Sequence, residues 1–114
     1  MVIDASVSIA AFVREGHSAR AQSIFETVAR DGAVVPGLWP LEVAQVLLVL
    51  ERRNVIDSAR RIEIVGEFAA LPIKVDSETA QRAWSGISGV AERHRLTVYN
   101  ATYLELAVRL SLPH

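Results

Sequence analysis

The sequence contains no cysteine. That excludes a disulfide scaffold, a cysteine-ligated zinc site and a thiol nucleophile. Lysine is nearly absent: Lys74 is the only one among 12 basic residues. An excess of one charge is also missing, because 13 acidic residues leave a formal net charge of -1. Composition therefore does not announce a strongly basic nucleic-acid binder, although a local patch stays open. No apolar run reaches the roughly 18 residues that a bilayer span requires, so no membrane attachment is expected. The N-terminus has no basic region ahead of its apolar stretch, which argues against a secretory leader and for a cytoplasmic protein. What is present is 51% hydrophobic and 22% charged residues over 114 positions. That balance excludes disorder and fits a single domain spanning 1–114 with a real core.

Short turns punctuate the chain: Gly16, Asp31-Gly32, Pro36-Gly37, Asn54, Pro72 and 93–96. Between them, apolar residues recur with helical spacing. Ala21, Ile24, Phe25 and Val28 form one such face; Val43, Val46, Leu47 and Leu50 form another. Ile62, Val65 and Phe68 mark a third, Ala80, Ala83, Trp84 and Ile87 a fourth, and Ala101, Leu104 and Val108 a fifth. A short further helix is expected over 5–13. Trp39, Trp84, Tyr99 and Tyr103 are expected to pack.

Val2-Ile3, 33–35 and 73–75 read as strands, being brief, rich in β-branched residues and bounded by turns. Strands alternating with helices predict an α/β fold, a three-layer α/β/α arrangement around a short parallel sheet. Right-handed crossovers place the strands in the order 3-2-1. After the last helix, near Ser111, the alternation calls for another strand, and the sequence stops there. The expectation is a domain lacking its C-terminal strand or strands, with Val2-Ile3 left as an unpaired edge or covered by another chain.

Ligands of open parallel sheets bind beyond the carboxyl ends of the strands. Asp4 follows the first strand directly, with Ser6 two residues on. Glu42 lies in the first turn of the helix after the second strand, and Asn100 at the start of the last helix. Each has a plain structural explanation as a helix cap or dipole partner. Together they could supply oxygen ligands from three segments to a hard cation, which could activate water at a phosphodiester. His17, His94 and His114 lack zinc-ligand spacing and read as surface or cap residues. No Walker lysine and no Gly-x-Ser-x-Gly elbow is present. Gly86-Ile87-Ser88-Gly89 is better read as helix packing or a kink than as a phosphate loop. Arg52-Arg53 and Arg60-Arg61 read as solvated helix faces that could also rim an RNA site.

Residues 1–6, Met-Val-Ile-Asp-Ala-Ser, resemble the opening of PIN-domain ribonucleases, a strand ending in Asp-x-Ser or Asp-x-Thr. Residues 39–44, Trp-Pro-Leu-Glu-Val-Ala, resemble their second motif, and 96–107 their third, Leu-hydrophobic-Tyr-Asp-Ala-x-Tyr-Leu-x-Leu-Ala. The set most resembles VapC-type toxins of prokaryotic toxin–antitoxin pairs. The resemblance implies a Mg²⁺- or Mn²⁺-dependent endoribonuclease with Asp4 and Glu42 at the first two acidic positions and Ser6 as the accompanying hydroxyl. Asn100 stands where the family has its third acid, and Gln45 where it usually has asparagine. Asparagine keeps the size of aspartate but loses its charge and one ligand oxygen, so a weakened site is expected. Implied partners are an RNA substrate, a small antitoxin protein and a second copy of the chain, in a homodimer or higher oligomer that could be strand-swapped. The other readings are an inactive PIN-like module that binds an antitoxin or RNA, and an α/β domain whose acids only cap helices.

Overall fold

Three short segments meet side by side at the centre of the chain's fold. The structure, a computed structural model, describes residues 1–10 and 19–114. Strands β1 (Ala33–Val35) and β2 (Ile73–Val75) pair in parallel, with Ala33 opposite Ile73, Val34 opposite Lys74 and Val35 opposite Val75. Val2 adds a single parallel bridge to Val34, whose N–H donates to the Met1 carbonyl at 2.9 Å. The lateral order is the expected one. The first strand is not: Val2-Ile3 contributes one bridge rather than a ladder.

Around this sheet lie α1 (Ala5–Ile9), α2 (Ala19–Asp31), α3 (Trp39–Arg52) and α4 (Ser58–Ala70). After β2 come α5 (Thr79–Arg82), a π-helical segment (Ala83–Ile87) and α6 (Ser88–His94), then α7 (Val98–Leu110). The protein is thus mostly helical with a short parallel sheet, a small α/β fold. Among the described residues no helix is long and apolar enough to cross a membrane. The expected end of the first helix, Gly16 and His17 lie outside the described residues.

Local chemistry explains the boundaries. Asp57 caps α4 by accepting the Arg60 N–H at 2.7 Å. Pro40 sits in the first turn of α3, where its missing N–H costs nothing. Arg95 and Ser111 take left-handed backbone angles and stop α6 and α7. Gly86, where helix packing or a kink is expected, lies in the π-helical segment and faces the Glu105 side chain.

Val2, Val35, Leu47, Ile64 and Leu106 are the most deeply buried parts of one core cluster, which α3 enters through Trp39, Val43, Leu47 and Leu50. Several apolar positions read as core are not. Trp84 is 97% exposed on the π-helical segment, and Tyr99, Ile62, Val65 and Val108 are also exposed. α7 buries Ala101, Thr102, Tyr103, Glu105, Leu106 and Ala107 instead. Glu105 is tolerated there because Arg109 donates to it at 2.8 Å and to Asp76 at 2.7 Å, a partly buried ion cluster that ties α7 to the end of β2. Of the two basic pairs, Arg60-Arg61 is neutralised, Arg60 meeting Glu63 and Glu67 and Arg61 meeting Glu51, while Arg52 and Arg53 are exposed.

The expectation of an unpaired edge at Val2 is corrected in one respect. The left-handed turn at Ser111 aims the tail back along the sheet, and the Pro113 carbonyl accepts the Val2 N–H at 2.8 Å. The Val2 amide is therefore paired within the chain.

Gly32 ends α2 at φ +80°, with the Pro72 carbonyl 3.0 Å from where a Cβ would stand. Both the backbone angle and the close approach require glycine. Gly32→Ala is expected to lower unfolding stability by about 1–3 kcal/mol, measured by urea titration; an unchanged midpoint would refute this account of the turn.

Candidate functional site

Asp4 leaves the sheet in an extended conformation and caps α1, its Oδ1 accepting the Val7 N–H at 2.8 Å. This is the structural role its position suggests. It does not exhaust the carboxylate, which has a second oxygen to offer. Glu42 occupies the first turn of α3, where the helix dipole favours an acid. One of its oxygens, Oε1, accepts a hydrogen bond from the Tyr103 hydroxyl.

The Tyr103 hydroxyl is therefore tied to Glu42, and it also feels the charge of Asp4. Its pKa is pushed far above the ordinary tyrosine value, first by burial, then by the hydrogen bond to Glu42 and the charges of Glu42 and Asp4. A backbone hydrogen bond with Ala5 acts in the opposite sense. Charges at Asp4 and Glu42 thus act on one hydroxyl, although the residues come from separate segments. The ring of Tyr103 lies nearly parallel to that of His114, at 5° and 6.2 Å between centroids.

A second connection fixes the same two helices. The Ser8 hydroxyl donates to the Asp4 carbonyl at 2.7 Å and accepts the Trp39 indole N–H at 3.1 Å. Ser8 and Trp39 are both buried. Trp39 stands one turn before Glu42 on α3, so this bridge sets the spacing of α1 against the start of α3.

Asn100 is placed differently from the expectation. Thr97, not Asn100, caps α7: its extended backbone lets Oγ1 accept the Asn100 N–H at 3.0 Å. Asn100 is exposed one turn before Tyr103 on the same helix. Ser6 and Gln45 are exposed as well. Glu42 and Tyr103 are thus joined by a hydrogen bond and Asp4 acts on the same hydroxyl through its charge, whereas Asn100 and Ser6 lie exposed. His94 is exposed at the end of α6.

Asp4 and His114 face a cleft of about 470 Å³, with Met1, Ile3, Val7 and Ile24 as its apolar wall. A second groove of about 320 Å³, between α3, α4 and β2, is lined by Trp39, Val43, Phe68 and Ile73 among others and holds no titratable side chain. It offers packing surface and no acid–base chemistry, so the Asp4 cleft is the better candidate for a reaction.

Among the described residues no group of three or more His, Asp and Glu side chains could hold a metal ion. A site requiring three acidic ligands does not fit. Asp4 and Glu42 each engage one carboxylate oxygen within the protein and leave the other, and a Mg²⁺ or Mn²⁺ that keeps several waters needs only one or two such ligands.

Sequence reasoning missed Ser8 as a bridge and treated Tyr103 as packing alone. Both had a positional signal: Ser8 is four residues after Asp4, and Tyr103 three after Asn100, so each is a helical neighbour of a candidate. No protein-family model matches the chain, and no curated protein matches it.

Ser8→Ala is expected to cost about 1–3 kcal/mol in chemical denaturation, because it strands the buried Trp39 N–H. A loss below a few tenths would show that another acceptor takes over. The raised Tyr103 pKa has its own signature. A proton held more tightly in the folded than the unfolded state stabilises fully below tyrosine's ordinary pKa of about 10 and progressively less as pH rises through the folded value. Wild-type stability is therefore expected to fall above about pH 10 more steeply than that of Tyr103→Phe. Parallel pH–stability curves would contradict the assignment.

Proposed function

We propose that this protein is a metal-dependent endoribonuclease of PIN-like, three-layer architecture, the toxin partner of a small antitoxin. The observation that carries the reading is the hydrogen bond from the Tyr103 hydroxyl to Glu42, with the Asp4 charge acting on the same hydroxyl, within the three motifs that resemble the family. Asp4 and Glu42 would hold one Mg²⁺ or Mn²⁺. A cation so held supplies a water of lowered pKa and charge stabilisation for phosphodiester hydrolysis. Asp4 is positioned for this by its helix cap, and Glu42 by the Tyr103 hydroxyl. The exposed Asn100 amide would orient water or RNA beside them. Ser6, at the mouth of α1, would support the water network.

RNA would enter along the cleft beside Asp4, where the apolar wall can receive an unstacked base. The work would be cytoplasmic, and a second copy of the chain is an expected partner. The second reading, a PIN-like module that binds an antitoxin or RNA without turnover, is favoured by the lack of a three-acid cluster among the described residues.

The decisive experiment is an RNA cleavage time course with Mg²⁺, Mn²⁺ or EDTA, comparing wild type, Asp4→Ala and Asn100→Asp. Wild type should cut only with metal, and Asp4→Ala should fall by about 100-fold or more, as expected for the loss of a group acting on the transition state. Asn100→Asp should cut faster. No cutting by any of the three would leave the binding-module reading standing.

A further inference from the structure

Tyr103 differs from the other core residues of α7 in what its polar end does. The residue is 4% exposed and belongs to the main core cluster. A tyrosine can be buried at low cost only if its hydroxyl finds partners. Here it finds the Glu42 carboxylate as acceptor and the Ala5 backbone directly after Asp4. The ring is seated against His114 on one face and held by the α7 backbone at its base. The hydroxyl is therefore a fixed, neutral donor between the Glu42 carboxylate and the backbone directly after Asp4.

That arrangement matters for cation binding. Two carboxylates brought together repel, and a glutamate on the first turn of a helix has several rotamers that point away. A donor fixed from a third element selects one rotamer and occupies one oxygen. We propose that Tyr103 is the positioning residue of the site, its hydroxyl holding the Glu42 carboxylate toward Asp4 so that both can share one divalent cation. This rests on the nuclease reading above. Tyr103 does not itself touch substrate or cation in this scheme; it acts through Glu42, as outer hydrogen-bond partners of metal ligands do.

The test measures Mn²⁺ affinity by calorimetry, together with the Mn²⁺ concentration that half-saturates RNA cleavage. Four proteins are compared: wild type, Tyr103→Phe, Glu42→Gln and the double variant. Phenylalanine keeps the ring and its contact with His114, so thermal unfolding serves as the control for folding. Tyr103→Phe is expected to weaken Mn²⁺ about 10-fold or more, the usual effect of losing such a partner. In the Glu42→Gln background the same change should have little further effect, because the two residues act as one unit. If wild type binds Mn²⁺ and Tyr103→Phe binds it within about twofold of wild type, well inside that expected loss, the positioning role is overturned and the nuclease reading survives. If wild type binds no Mn²⁺, the nuclease reading fails and the positioning role fails with it.

Discussion

Everything in this molecule is organised on a parallel ladder only three residues deep, extended by a single bridge at Val2. So short a ladder contributes few hydrogen bonds, and parallel pairing is the weaker kind per residue. The sheet persists because helices bury its Val2 and β1 side, while β2 stays largely exposed. Val35 is wholly inaccessible and Val2 nearly so, and α3 lays Trp39, Val43, Leu47 and Leu50 into the same core. The consequence for the site is direct. Strands too short to project side chains far beyond the helices leave the work of placing chemistry to the first turns of those helices.

The first turns are locked to one another by polar groups that are themselves buried. Ser8 spans α1 and α3 through the Asp4 carbonyl and the Trp39 indole, and Tyr103 spans α7 and α3 through Glu42. In a low-dielectric interior such bonds are stronger than in water and costly to leave unmade. They therefore specify geometry more sharply than apolar contacts can. The Asp76–Arg109–Glu105 cluster does the same at the other end of α7, holding the helix to the end of β2. α7 is thus fixed at two points along its length, at Tyr103 and at the Glu105–Arg109 pair.

Much of this was legible in the residues. The turns at Gly32 and Pro72, the runs 33–35 and 73–75, and the spacing within 39–52 and 58–70 appear where periodicity puts them. The lateral order of the parallel segments was also readable. What failed was the assignment of faces. Helical spacing shows that Val65, Trp84 and Val108 lie on a stripe, but not whether another element covers it, and here they are exposed. Glu105 was invisible as a core residue, because a carboxylate is buried only once its arginine is in place, and Arg109 acquires its other partner, Asp76, from a segment far away in sequence. Asn100 was misread as a cap because Thr97 and Asn100 are both good cap residues, and only the backbone angle decides between them. Asp4 and Glu42 were legible as helix-start acids. The tie of Glu42 to Tyr103 was not, since it depends on a contact between positions 42 and 103 that no local pattern encodes.

Val2 and Pro113 stand near opposite ends of the sequence and share a backbone hydrogen bond of 2.8 Å. Loop-closure entropy disfavours so remote a pairing until the intervening chain is already compact. The turn at Ser111 aims the tail only once α7 has wound and stopped. The wall that His114 forms in the Asp4 cleft therefore joins late, after α7 has packed onto the core. The sheet and the helices can thus assemble before this side of the cleft exists, and the cleft beside Asp4 is complete only once the contact between Val2 and Pro113 has closed.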